Sequence, residues 1–307
     1  MQGIVIKTTG TQYLVQPDDR SVAPVVCYVK GNFRIRGIRS TNPVAVGDRV
    51  LIEQQTDGTN WLKDILPRNN YIIRRSTNLS KQTHILAANL DQAVLLVTVA
   101  HPVTSTTFID RFLATAEAYR IPAVLIFNKI DLMNEAEMEQ LQSLRNLYES
   151  MGYTTLALSA TQVKSKEIEP LFAGKVSLLS GNSGVGKSTL LNAVLGEDIT
   201  RTAALSTVHD AGMHTTTYSE MYAFGTGWII DTPGIKGFGS VEMEREEVSH
   251  YFREIFAIGR SCRYGNCLHT GEPGCAVMHA LEAGEIAESR FNSYLSLLGD
   301  CDEAKYR

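Results

Sequence analysis

The stretch Gly181-Asn182-Ser183-Gly184-Val185-Gly186-Lys187-Ser188-Thr189 has the residue types and spacing for anion chemistry. Its glycines let backbone N–H groups converge, and a lysine and two hydroxyls follow, which fits the G-x-x-x-x-G-K-[ST] loop that cradles nucleoside triphosphate phosphates. On this reading Lys187 pairs with the outer phosphates and stabilises charge that develops there during reaction, and Ser188 ligates Mg²⁺. Asn128-Lys129-Ile130-Asp131 carries N-K-x-D, a guanine-binding motif. The Asp131 carboxylate can accept from both N1–H and the 2-amino group of guanine. Adenine offers neither donor, and the unpaired carboxylate would disfavour ATP by roughly several kcal/mol. Asn128 is expected to orient the loop and Lys129 to lay its stem along the base. Ser159-Ala160 reads as the short loop whose backbone amide meets the guanine oxygen.

Asp231-Thr232-Pro233-Gly234 fits D-x-x-G, with Asp231 holding Mg²⁺ through water and the Gly234 N–H sensing the γ-phosphate. Upstream, in His214-Thr215-Thr216-Thr217, Thr216 is expected to coordinate Mg²⁺, and Thr215 stays open as the alternative. Ile235 follows Gly234, where a Gln would position the attacking water. Hydrolysis must then recruit a polar group from elsewhere. His214 is the expected catalytic residue, set against a loop histidine without a role. Near the end, Cys262, Cys267, His269 and Cys275 form C-x4-C-x-H-x5-C, and these ligands suit one closed tetrahedral Zn²⁺ site. By spacing, His279 could replace His269.

Strand and helix patterns put these groups on loops. The apolar runs Ala93–Val99, Ala123–Phe127 and Val176–Leu179 read as buried strands, as does Trp228–Ile230. Helices are expected over Thr106–Tyr119 and Ser188–Leu195, and helical periodicity recurs over Ser240–Ile258 and Ala276–Leu298. The phosphate loop follows the base-reading motifs, so the order is circularly permuted. A sheet tolerates this because each motif sits on its own strand end. The permutation also places residues 212–235 directly upstream of the Cys/His cluster, so the phosphate sensor is expected to feed that module.

The chain of 307 residues, 44% hydrophobic and 20% charged, has an ordinary globular composition with room for two or three cores. It shows neither a long apolar run nor a leader pattern at its start, which leads us to expect a cytoplasmic location. The net charge of -4 is uneven: residues 1–81 hold 12 Lys+Arg against 6 Asp+Glu, and the rest 17 against 27. Short alternating strands within residues 1–75 suggest a five-stranded barrel. There Tyr13, Tyr28, Phe33 and Trp61 interleave with Lys30, Arg34, Arg36 and Arg39, either as an oligonucleotide-binding face or as core rings beneath a solvated basic surface. Residues 241–307 carry 7 Lys+Arg against 12 Asp+Glu, so bulk charge there does not favour RNA.

Taken in order between an N-terminal barrel and a C-terminal Cys/His cluster, these motifs resemble the ribosome-small-subunit-dependent GTPase A family (RsgA or YjeQ type) over essentially the full chain. The resemblance implies an α/β fold: a circularly permuted P-loop GTPase domain (76–240) flanked by an N-terminal OB-fold RNA-binding barrel (1–75) and a C-terminal helical zinc-binding domain (241–307). It implies GTP/GDP, Mg²⁺ and one structural Zn²⁺ as cofactors, and His269 rather than His279 as the fourth zinc ligand. The implied partners are the small ribosomal subunit and its rRNA late in assembly, with no membrane and a monomeric protein. Family members show low intrinsic GTPase activity that the subunit stimulates, and a histidine matching His214 is implicated. Gly184 stands where potassium-using permuted GTPases carry Asn, which argues against potassium. The competing reading is an RNA-binding regulator in which GTP only switches affinity. A GTPase serving another RNA or a membrane complex is a third.

Overall fold

The computed structural model describes residues 1–9, 11–29, 44–75, 83–196, 219–231 and 243–305. At its centre lie the strands β8 (Gln92–Val97), β9 (Ala123–Phe127), β10 (Thr154–Ala157), β11 (Val176–Ser180) and β13 (Gly227–Asp231). They pair in parallel in the order β10-β9-β8-β11-β13, and β12 (Glu220–Phe224) adds antiparallel to β13. Helices cover both faces. Helices α1 (Thr106–Ala118) and α2 (Glu135–Ser150) send Ile109, Phe112, Leu141 and Tyr148 onto Ala93, Leu95 and Val97. Helices α3 (Ser165–Phe172) and α4 (Lys187–Leu195) send Ile168, Phe172, Leu190 and Leu191 onto Val94 and Leu96. Alternate residues of β8 thus feed opposite cores, which is why the strand is a continuous apolar run. Sharp helix starts keep the loops short: Ser105 caps α1 through the Phe108 amide, and Asn134 with Glu137 forms a capping box on α2.

The N-terminal strands β1 (Gln2–Thr8), β2 (Gln12–Pro17), β3 (Val25–Tyr28), β4 (Arg49–Gln54) and β5 (Asn60–Ile65) close in the order β1-β2-β3-β5-β4-β1. This is the expected five-stranded barrel of oligonucleotide-binding type. Its interior holds Val5, Tyr13, Val15, Cys27, Val50 and Leu62. Tyr13, 3% exposed, therefore belongs to the core and not to a base-stacking face, because its position on β2 points inward with Val15. Tyr28 and Trp61 point the other way and pair on the barrel exterior, ring centroids 5.9 Å apart. Lys30, Phe33, Arg34, Arg36 and Arg39 lie outside the described residues. A hairpin of β6 (Tyr71–Arg75) and β7 (Thr83–Ala88) follows the barrel. The buried Asp48 carboxylate takes both Arg68 Nε and one terminal nitrogen at 2.6 Å, tying the strand connection β3–β4 to the segment after β5. β12 also meets β1, with Lys7 opposite Glu220, so one ladder of eleven strands runs from the central sheet into the barrel.

The C-terminal region departs from the long helices its periodicity suggests. Residues Arg245–Tyr251 form a 3-10 turn, Phe252 leaves helical geometry at φ -114 and ψ 100, and α5 (Arg253–Gly259) restarts. The break lets the Phe252 ring turn inward against Tyr294. The second stretch splits into α6 (Ala276–Glu282) and α7 (Glu288–Lys305) at Gly284, whose φ of +74 ends α6 with its N–H on Leu281 O. Among the described residues no helix is long and apolar enough to cross a membrane.

Candidate functional site

The parallel strands end on one edge of the sheet, and the predicted loops sit there together. Gly181 follows β11, Asn128 follows β9, Ser159 lies just past β10, and Asp231 closes β13 opposite Leu179. From Gly181 the chain turns into α4, capped by Gly186 at φ +99. Two glycines there are sterically required. A Cβ on Gly186 would collide with Asn128 Nδ2, and one on Gly181 would sit 2.5 Å from Leu96 O. Val185, fully buried, anchors the middle of the loop in the core beneath. Ser183, Gly184, Ser188 and Thr189 stay exposed and Asn182 half-buried, so the anion-facing side is open. Lys187 folds over the loop, donating to Gly181 O at 2.6 Å and Asn182 O at 3.3 Å. Burial pushes its amine down from the usual lysine range while the Asp231 charge opposes this. Those carbonyls hold the ammonium where an anionic ligand would take it over.

Asn128, 1% exposed, joins three loops with one amide. Its Nδ2 donates to Val185 O at 2.7 Å in the phosphate loop, and its Oδ1 accepts from the Ala160 amide at 2.8 Å. The two bonds tie the segment after β9 to the phosphate loop and to the loop after β10, and the Ala160 amide is taken up by Asn128. Ser159 is buried with its hydroxyl on Thr161 Oγ1 at 2.8 Å. Lys129 adopts φ +65 and turns the chain into the short 3-10 segment Ile130–Leu132, which exposes Asp131 at the rim. Its Nζ reaches His101 O at 2.5 Å. His214, Thr215, Thr216 and Gly234 lie outside the described residues.

A second cluster lies in the C-terminal region. One ligand atom each from Cys262, Cys267, His269 and Cys275 falls within 4.8 Å of the others. Cys262 and Cys275 Sγ are 3.9 Å apart, and His269 Nδ1 lies 3.6 Å and 3.4 Å from them. Tetrahedral edges built from Zn–S bonds of about 2.3 Å and Zn–N bonds of about 2.1 Å are about 3.8 and 3.6 Å, so the donor set fits such an ion. His269 sits at φ +59 and is 3% exposed, whereas the His279 side chain is 75% exposed beside Glu282. The spacing alternative His279 therefore faces away from the cluster. Surrounding groups fix the ligands: the Ala276 amide points at Cys262 Sγ, and Glu272 accepts from the Leu268 and Thr270 amides. Burial pushes the Cys267 thiol up to about 12 and raises Cys275 as well, so a cation is what would make them thiolates.

Two features had no signal in the motifs. The loop after β8 packs against the phosphate loop. Its Pro102 ring lies 3.4 Å from a Cβ position on Gly184, and Thr98 Oγ1 donates to Pro102 O at 2.5 Å. The other is a buried charge network: Asp110 of α1 accepts from Arg290 of α7 at 2.8 Å and from Tyr148 at 2.9 Å, and Arg290 grips both oxygens of Glu254.

Comparison with known proteins agrees with this geometry. Residues 65–241 match the family described as RsgA GTPase, and residues 2–62 match the RsgA N-terminal domain. The chain is 57% identical over 309 residues to the small ribosomal subunit biogenesis GTPase RsgA 2 of Bacteroides thetaiotaomicron, covering 100% of this chain and 99% of that one. It superposes on the crystal structure of YjeQ from Thermotoga maritima with a TM-score of 0.76 at 32% identity, covering 98% of each chain. YloQ, described as a circularly permuted GTPase, gives the same TM-score at 29% identity, covering 100% of this chain and 96% of that one.

Proposed function

From the premise that this chain belongs to the RsgA GTPase family, we propose that it hydrolyses GTP on the small ribosomal subunit late in maturation, its nucleotide state controlling association and release. The observation that carries the reading is Asn128, whose one buried amide locks the base-reading loop to the phosphate loop. The site is thereby built for one ligand with a base at one end and phosphates at the other.

In this reading Asp131 accepts from the guanine edge, the Lys129 stem lies along the base, the Ala160 amide braces Asn128, and the Ser159-Ala160 loop lies against the guanine oxygen. The amides of Gly181, Asn182, Ser183, Gly184, Val185 and Gly186 face the phosphates, and the Lys187 ammonium leaves the loop carbonyls for their outer oxygens. Ser188, Thr216 and Asp231 would hold Mg²⁺, with Thr189 and Gly234 beside the phosphates. The ion supplies charge neutralisation on the transferring group. His214 positions the attacking water in place of the Gln that Ile235 displaces. Cys262, Cys267, His269 and Cys275 would hold one structural Zn²⁺, which orders the knuckle after α5. The barrel (1–75) offers the Tyr28–Trp61 pair to exposed rRNA bases, the domain 76–240 carries the chemistry, and 241–307 docks the partner. The protein acts as a cytoplasmic monomer.

GTP turnover measured alone and with small subunits, large subunits and naked RNA tests this. Stimulation by small subunits is expected. Equal turnover in every condition would refute the coupling.

A further inference from the structure

A row of charges crosses the sheet from the phosphate side to the barrel. Asp231, the last residue of β13, lies opposite Glu220, the first of β12, and Glu220 in turn lies opposite Lys7 of β1. Opposed residues of antiparallel pairs project from the same face, so the three side chains stand in line. Lys7 Nζ bonds Glu220 Oε1 at 3.0 Å, and the other Glu220 oxygen accepts from the Tyr222 hydroxyl at 3.1 Å. On its other side Asp231 lies opposite Leu179 of β11, the strand that leads into the phosphate loop. Glu220 therefore stands between a carboxylate of the nucleotide site and a cation of the barrel.

The turn of the same hairpin is held by the barrel as well. Arg20, between β2 and β3, donates to Gly225 O at 3.2 Å and Thr226 O at 3.0 Å, and its guanidinium lies 4.6 Å over the Trp228 ring. The two edges of the hairpin differ in strength. Four register pairs, Val176–Leu179 with Trp228–Asp231, fix β13 to the phosphate-loop strand. Among the described residues one pair, Lys7 with Glu220, joins β12 to β1. The hairpin thus links a strand held by four register pairs beside the phosphate loop to the Lys7 edge of the barrel.

We propose that the β12–β13 hairpin carries nucleotide state from Asp231 through Glu220 to the barrel, with Lys7 and Arg20 as the positioning residues that receive it. The proposal rests on the reading of Asp231 as the carboxylate on the nucleotide side. Its consequence is that the barrel, and not only the C-terminal module, is set by the bound nucleotide. Among the described residues Lys7 and Arg20 touch no part of the phosphate or base loops, so their loss is expected to change communication and to leave turnover by the protein alone within about twofold, since interactions realised at the reacting groups are untouched.

Backbone amide exchange of residues 2–8 tests this, measured in the full-length protein with Mg²⁺ and either GDP or a slowly hydrolysed GTP analogue. The wild type is expected to show rates that differ by about threefold or more between the two states, in keeping with coupling energies of ordinary size. Lys7→Gln combined with Arg20→Ala should bring that ratio to one, and Lys7→Arg alone should keep it. A merely structural role would speed exchange equally in both states and leave the ratio unchanged. If the double variant does not fold, Arg20→Ala alone should reduce the ratio. Equal exchange in the wild type, or a ratio that survives the substitutions, overturns the proposal while leaving the GTPase reading intact. A wild type that binds no guanine nucleotide would remove both.

Discussion

Asn128 joins three loops of the site through one side chain. Both ends of its buried amide are satisfied by backbone, Val185 O on one side and Ala160 N on the other. Asn128→Ala strands both partners, at about 1–3 kcal/mol each. A lowered denaturant midpoint together with weakened GDP binding is the expected outcome; loss of binding at unchanged stability would contradict the bracing role. Gly186→Ala acts on the same contact from the other side, adding a Cβ against Asn128 Nδ2 at a φ of +99. It should weaken guanine nucleotide binding by roughly tenfold or more, on the scale of backbone strain of about 1–3 kcal/mol. At position 214, His→Ala should keep GTP binding and lower turnover by at least about tenfold, as expected for loss of a proton-handling group. Unchanged turnover would remove His214 from the mechanism.

At the scale of elements, the C-terminal module depends on its Cys/His knuckle more than on helix length. Helices α5 and α6 have seven residues each, too short to hold themselves. What joins them is the cluster of Cys262, Cys267, His269 and Cys275, with the Tyr294 hydroxyl of α7 donating to Leu268 O at 2.6 Å. Chelation should therefore unfold this module before the GTPase core, visible as protease cleavage within 259–276 at a temperature where GDP still protects the sheet. Native protein without zinc by elemental analysis would sink the assignment. The glycine break between α6 and α7 serves the same end, because it turns α7 back over α1.

At the scale of the whole molecule, Arg290 is a buried fastening between that module and the GTPase, beside the more exposed Arg253–Glu117 and Arg111–Asp300 pairs. Its side chain is 1% exposed, between Asp110 of α1 and Glu254 of α5, with its guanidinium 4.7 Å over the Phe252 ring. Removing the cation leaves two carboxylates facing each other in a buried space. Arg290→Met should cost about 3–5 kcal/mol, the range for breaking one side of a buried pair. The expected readout is separation of one unfolding transition into two, the C-terminal module melting first. A single transition at the wild-type midpoint would show that the network contributes nothing to docking.

The sequence by itself determined the chemistry of the loops, because each motif is a short run in which residue type and spacing are the signal. Gly181 to Thr189, Asn128 to Asp131 and the three knuckle cysteines could be read without a fold, and so could the strands β8, β9 and β11, whose apolar runs reflect burial on both faces. Only the tertiary structure decided what depends on direction and distance. It turned Tyr13 into the barrel core while Tyr28 and Trp61 face outward, and it pointed His269 inward and His279 away. It also broke two periodic stretches at Phe252 and Gly284, where burial of a ring and a left-handed residue outweigh helical spacing. The pairs Asn128 with Val185, Asp110 with Arg290 and Lys7 with Glu220 are separated by 57, 180 and 213 residues. No local pattern encodes such contacts, since they exist only where the sheet order brings distant strand ends and helix faces together.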